Sequence, residues 1–167
     1  MTGNIWNHKN ANCKIGDFRI DRIVDIERLC YPYSSMIPDA DPKVLMDLVE
    51  EMGPRLIDPD TLDLSLSFHA FLIRTNKHII LVDTCCGNEK QRPNRLDWHL
   101  RDGPFLNNLG AQGVKPEDVD IVMCTHLHAD HVGWNTIMDN GEWVPTFPNA
   151  QYLFAETEYQ FWSKEQK

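Results

Sequence analysis

Seven residues constrain this chain more than any others. Thr125-His126-Leu127-His128-Ala129-Asp130-His131 follow the apolar run Ile121-Val122-Met123-Cys124 without a break. Three of the chain's seven histidines fall within these positions, with an aspartate between two of them. The apolar run reads as a short strand, so the imidazoles stand where a strand end hands the backbone to a loop. In extended backbone, residues two apart point the same way, so His126 and His128 can grip one ion from one side. Imidazole and carboxylate are zinc donors, binding at about 2.0–2.2 Å. Asp130 and His131 lie just beyond, where a turn can aim them at a second ion. Two ions about 3.5–4 Å apart can hold a hydroxide between them. Solvated loop histidines are the plain alternative. A lone His-x-His pair would not exclude it, but His-x-His-x-Asp-His after an apolar strand favours metal.

The rest of the chain supplies a mixed frame. Residues 17–25 alternate and predict a strand, and the turn-rich YPYSSMIPDADP predicts a loop. Asp41-Pro42 opens a helix, with Asp41 as N-cap, an apolar face of Val44, Leu45, Leu48, Val49 and Met52, and Gly53 as terminator. Residues 64–74 and 78–83 flank a short polar turn and predict a hairpin, its second strand buried on both faces. CCGNEKQRPNRLDWHLRDG predicts a long surface loop. Pro104 starts a helix carrying Phe105, Leu106 and Leu109, ended by Gly110 or Gly113. A strand-turn-strand around DNGEW, a strand at 151–154 and a C-terminal helix complete the reading. Strands interleaved with helices indicate an α/β or α+β sandwich. At 167 residues the chain fits one domain, 1–167.

The run His126-Leu127-His128-Ala129-Asp130-His131 resembles the signature of the metallo-β-lactamase superfamily. Asp83, closing IILVD and followed by Thr84 and Gly87, resembles that superfamily's earlier aspartate motif. THLHADHVGWN and FPNAQYLFAETEYQFW are similar to the branch holding N-acyl homoserine lactonases and methyl parathion hydrolase-like enzymes. The resemblance spans roughly residues 64 to 162 and is specific for superfamily, weak for substrate. It implies an α+β fold, the αββα sandwich, of which this chain would be the N-terminal half only. It implies His126 and His128 as ligands of a first metal, and Asp130 and His131 as ligands of a second. Asp83 would hold a ligand histidine by hydrogen bonding without touching metal; a strand-end cap is its plainer role. Asp130 would also orient the hydroxide or carry its proton to the leaving group. Gly133 would let backbone pass close to the site or be an ordinary loop glycine, and Trp134, with Trp143 and Phe147, would line a substrate pocket, core or lid packing being the plainer role of these aromatics. Asn135 reads as a turn residue and His69 as a satisfied core histidine. His8, His78 and His99 carry no constellation.

The implied enzyme is a hydrolase using two Zn(2+) per complete site on a lactone, ester or related small molecule, with iron or manganese as other metals. An iron-dependent oxidoreductase on the same fold and a non-catalytic metal-binding fragment are the alternatives. A third histidine for the first metal, a bridging aspartate and a last histidine would all follow Lys167. A chain cut short, a homodimer supplying the ligands, or a remnant would each account for this, and the first is preferred. Without the second half, the inner sheet face is expected to be an exposed apolar patch.

Charge narrows the partners. Sixteen Lys and Arg against 25 Asp and Glu give a net charge of −9, which disfavours nucleic acid and anionic membrane surfaces. No window approaches about 18 apolar residues, and MTGNIWNHKN lacks the apolar core of a secretory signal. A cytoplasmic location is the resulting expectation. Five cysteines without a repeated spacing read as free thiols, Cys85 and Cys86 in packing roles.

Overall fold

In a computed structural model of the chain, residues 12–165 are described. The N-terminal stretch read as lacking a signal, and His8 within it, lie outside the described residues. The elements are β1 (Asn12–Ile15), β2 (Phe18–Tyr31), α1 (Tyr33–Met36), α2 (Pro42–Met52), β3 (Leu64–Arg74), β4 (Ile79–Val82), α3 (Phe105–Ala111), β5 (Ile121–Met123), β6 (Thr136–Asp139), β7 (Glu142–Pro145), β8 (Gln151–Leu153) and α4 (Glu156–Glu165). Six strands form one sheet in the order β1-β2-β3-β4-β5-β8, and β6 and β7 form a separate hairpin. The architecture is α+β.

Two compact units emerge from the packing: residues 26–68, and the rest of the described chain. The smaller unit holds α2, which Asp41 caps by accepting the Lys43 N–H at 2.9 Å. Gly53 ends the helix in the left-handed region at φ +80°, where a side chain would be strained. Leu45 on α2 is buried, whereas Val44 is 55% exposed, so the predicted apolar stripe is only partly covered. Asp41→Ala is expected to cost about 1 kcal/mol, read as a lowered denaturant midpoint with unchanged slope.

The larger unit is built on a βαβ step. β3 and β4 pair antiparallel, with Leu72 opposite Leu81, and β4 and β5 pair parallel, with Leu81 beside Val122. The crossover between β4 and β5 carries α3, the connection that parallel neighbours require. Leu72, Leu81 and Val122 therefore share one face, and all are fully buried in a cluster with Phe105 and Leu109 of α3 and with Phe147. The other face of the sheet is different. Val82, Met123 and Leu153 lie side by side there in register, and Met123 and Leu153 are 42% and 46% exposed. Of β4 only Leu81 is buried, so the expectation that this strand is covered on both faces is not met. Its run of apolar residues reflects two apolar faces, of which the described residues cover one.

Other departures from the sequence reading are local. β1 lies outside the predicted strands: its four residues do alternate, but the run is too short to stand out, and β2 runs on to Tyr31. The 85–103 segment is irregular but does not begin at the surface: Thr84, Cys85, Cys86 and Gly87 are buried. The β6–β7 turn has Asn140 and Gly141 both at positive φ, the pair of conformations that a two-residue hairpin loop needs. Among the described residues, no helix is long and apolar enough to cross a membrane.

Candidate metal centre

Because β4 and β5 are parallel neighbours, their C-terminal ends emerge side by side, and each delivers one part of the site. Asp83 follows β4. Its N–H donates to the Met123 carbonyl at 2.9 Å, after which the backbone turns at φ +60°. Aspartate tolerates this left-handed region better than most residues. The turn aims its carboxylate at the first residues after β5. Asp83 Oδ1 accepts the Thr125 N–H at 2.8 Å, and Oδ2 lies 2.9 Å from both Thr125 Oγ1 and His131 Nδ1. Thr125 Oγ1 is in turn 3.1 Å from His126 Nδ1. One carboxylate thus steadies two histidines, His131 directly and His126 through a threonine hydroxyl. With Nδ1–H of each ring donating into this network, Nε2 of each is left with a free lone pair.

The remaining ring atoms converge in pairs. His126 Nε2 is 3.1 Å from His128 Nδ1, and His131 Nε2 is 3.5 Å from Asp130 Oδ2. The rings of His126 and His131 stand 3.9 Å apart, so the two pairs adjoin. Two donors at 2.0–2.1 Å from one tetrahedral ion are separated by about 3.3 Å. Both pairs match that bite, and imidazole with carboxylate is a zinc-type donor set. Among the described residues, however, no group of three or more His, Cys, Asp or Glu side chains is arranged to hold a single ion. The described residues thus offer donors two at a time, each couple short of a full ligand set.

The loop bearing these donors is zipped to the loop after β4 by main-chain bonds. Thr84 N–H donates to the His131 carbonyl at 2.8 Å, Gly133 N–H to the Cys85 carbonyl at 2.7 Å, and Trp134 N–H to the Thr84 carbonyl at 2.8 Å. Gly133 and Gly87 cross with no room for a side chain: a Cβ on Gly133 would lie 1.9 Å from the Cys86 carbonyl carbon. Asn135 ties the crossing inward, accepting from the buried Thr84 hydroxyl at 2.9 Å and facing Cys124 Sγ at 3.4 Å. Burial raises the thiols of Cys85 and Cys86, the latter to about 12, so neither is a thiolate nucleophile at neutral pH.

Two sequence expectations are corrected here. Trp134, read as a pocket wall, is 3% exposed and stacks on Phe105 in the core at 5.4 Å. The aromatic signal there was one of packing. His69 is partly exposed on β3 and edge-on to Phe71, not in the core. Four residues that hold or touch the loop carry no role in the sequence reading. Thr125 belongs to the motif run itself. Arg92 donates to the Ala129 carbonyl at 3.0 Å. On α4, Glu158 accepts the Leu127 N–H at 2.9 Å, which holds its carboxyl below the usual range, and Trp162 meets the His128 ring edge-on at 5.6 Å. Nothing local distinguishes the last three from ordinary surface residues.

Comparison with known proteins decides the family. The family model described as the metallo-beta-lactamase superfamily matches residues 69–167. The chain belongs to this superfamily. No match was found among curated proteins. Among solved structures, the chain is similar to the hydrolase AbOPH of the beta lactamase superfamily, at 26% identity and TM-score 0.67, covering 90% of this chain and 46% of that one. It is similar in fold to AidC, a dizinc quorum-quenching lactonase, at 21% identity and TM-score 0.69, with coverage of 90% and 46%. A probable metal-dependent hydrolase from Staphylococcus aureus matches at 20% identity and TM-score 0.71, with coverage of 90% and 51%. The chain thus spans about half the length of these superfamily members, matching their N-terminal portion.

Proposed function

We propose that this superfamily member is a metal-dependent hydrolase whose N-terminal donor set is His126, His128, Asp130 and His131, acting with two zinc ions on a lactone or ester. The observation that carries the reading is the pair of converging donor couples, steadied through Asp83. Zinc bound there would supply a hydroxide at neutral pH and polarise the oxygen of the scissile group. His126 and His128 would share one ion, and Asp130 and His131 the other. The Asp130 carboxylate would also accept a proton and deliver it to the leaving group. Each ion commonly takes about three protein ligands, so the remaining donors come from outside these four residues. The similarity to AbOPH and AidC supports hydrolysis, and the sequence resemblance alone puts lactone and ester substrates ahead of phosphotriesters, with β-lactams behind.

The test is elemental analysis of the untagged protein, followed by assay of lactone, aryl ester and phosphotriester panels. Bound zinc with lactone or ester turnover is expected. Bound iron with oxygen consumption would replace the hydrolase by an oxidoreductase, and absence of any bound metal from the full-length gene product would remove the reading altogether.

Asp83 offers a sharper check. Asp83→Asn keeps the shape but puts an amide where Thr125 and His131 need acceptors. Zinc affinity is expected to fall about 10–100-fold, measured by competition with a chelator. An unchanged affinity would reduce Asp83 to a strand-end cap.

A further inference from the structure

The two residues between the ligands, Leu127 and Ala129, carry no metal-binding group, yet both are held from outside the loop. Glu158 takes the Leu127 N–H. Arg92 takes the Ala129 carbonyl, and with its other terminal nitrogen donates to the Cys86 carbonyl at 2.6 Å. Ala129 separates His128, in the first donor couple, from Asp130, in the second. Its peptide is therefore the point at which the spacing between the couples is decided. The Cys86 carbonyl belongs to the backbone that crosses Gly133. One guanidinium thus ties the middle of the loop to its most tightly packed neighbour.

We propose that Arg92 is a positioning residue for the metal loop, its guanidinium bridging the Cys86 and Ala129 carbonyls and so setting the distance between the two donor couples. The inference rests on the metal-centre reading above. A planar fork with fixed donor directions suits two carbonyls on different loops, whereas an ammonium is a single point charge. Arg92 is itself held in place. Its N–H donates to His99 Nδ1 at 2.8 Å, and its guanidinium carbon lies 6.0 Å from the ring centre of the buried Trp98. The side chain therefore approaches the loop from a fixed base.

The experiment is a cobalt(II) titration of the full chain, comparing the wild type with Arg92→Ala and Arg92→Lys. Affinity and visible absorption are followed, together with thermal unfolding of each metal-free protein. Arg92→Ala is expected to bind cobalt at least about tenfold more weakly, with altered visible bands and a metal-free melting temperature close to the wild type's. Arg92→Lys is expected to recover part of the affinity. Wild-type affinity and spectrum in Arg92→Ala would overturn the proposal. So would a loss of affinity matched by collapse of the metal-free fold in both variants, which would mark Arg92 as merely structural. Failure of the wild type itself to bind cobalt would instead overturn the metal-centre reading, and this inference with it.

Discussion

In the complete enzyme proposed above, His128→Ala is expected to lower the zinc content by about one ion and to cut hydrolysis by at least about 100-fold. Loss of an outer partner of a ligand already costs about 10–100-fold, and His128 is read as a ligand itself. Its Nδ1 faces His126 Nε2 at 3.1 Å, so its removal leaves His126 alone in that couple. The side chain is exposed, and its contact with Trp162 is edge-on, so truncation opens no core cavity. Stability should stay within about 0.5 kcal/mol of the wild type. That separation makes the result readable: zinc and rate fall together while the unfolding curve stays in place. Elemental analysis and a lactone or ester assay on matched preparations are sufficient. Unchanged zinc and an unchanged rate would remove His128 from the donor set.

Gly133→Ala is expected to damage the fold itself. A Cβ there would sit 1.9 Å from the Cys86 carbonyl carbon and oxygen and 2.4 Å from Gly87 N, all of them backbone atoms that cannot rotate away. Relief requires the two loops to part. Parting breaks the bonds from Gly133 N–H to Cys85 and from Trp134 N–H to Thr84, and unseats Trp134 from Phe105. The cost should exceed about 4 kcal/mol, a fall in melting temperature on the order of 10 °C for a chain of this size. Gly110 is the matched control. It lies in α3 with nothing within 4 Å of its would-be Cβ, so Gly110→Ala should be neutral or stabilising by about 0.5–1 kcal/mol. A Gly133→Ala protein melting within a degree or two of the wild type would refute the crossing.

The parts of the fold that could be read in the sequence are those with local causes. Asp41-Pro42 and Gly53 bracket α2 by capping chemistry, and Asn140-Gly141 fixes the β6–β7 turn by backbone preference. The β3–β4 hairpin follows from two apolar runs around a polar turn. Burial was read less well because it depends on what lies across the sheet. Thr84 to Gly87 sit in a polar-looking segment yet are buried by the crossing at Gly133. The opposite error arose on β4, whose apolar residues suggested cover on both faces. At the candidate site the four proposed donors stand out in the sequence because they are nearly contiguous. Arg92 and Glu158 were not, being 37 and 31 residues from their partners and ordinary in type.

The crossing of the two loops is made of peptide groups. The bonds joining 84–85 to 131–134 run from amide to carbonyl, and the steric key is a pair of residues without side chains. Beyond the hydroxyl of Thr84, a joint of that kind does not depend on which side chains occupy Cys85, Cys86 or Val132, provided their volumes fit. The joint between the two loops and the surface that would meet a substrate are thus written in separate alphabets, one mostly in the main chain and one in the side chains. Selection or a protein engineer can rewrite the second for a new leaving group or acyl chain while the first stays in register.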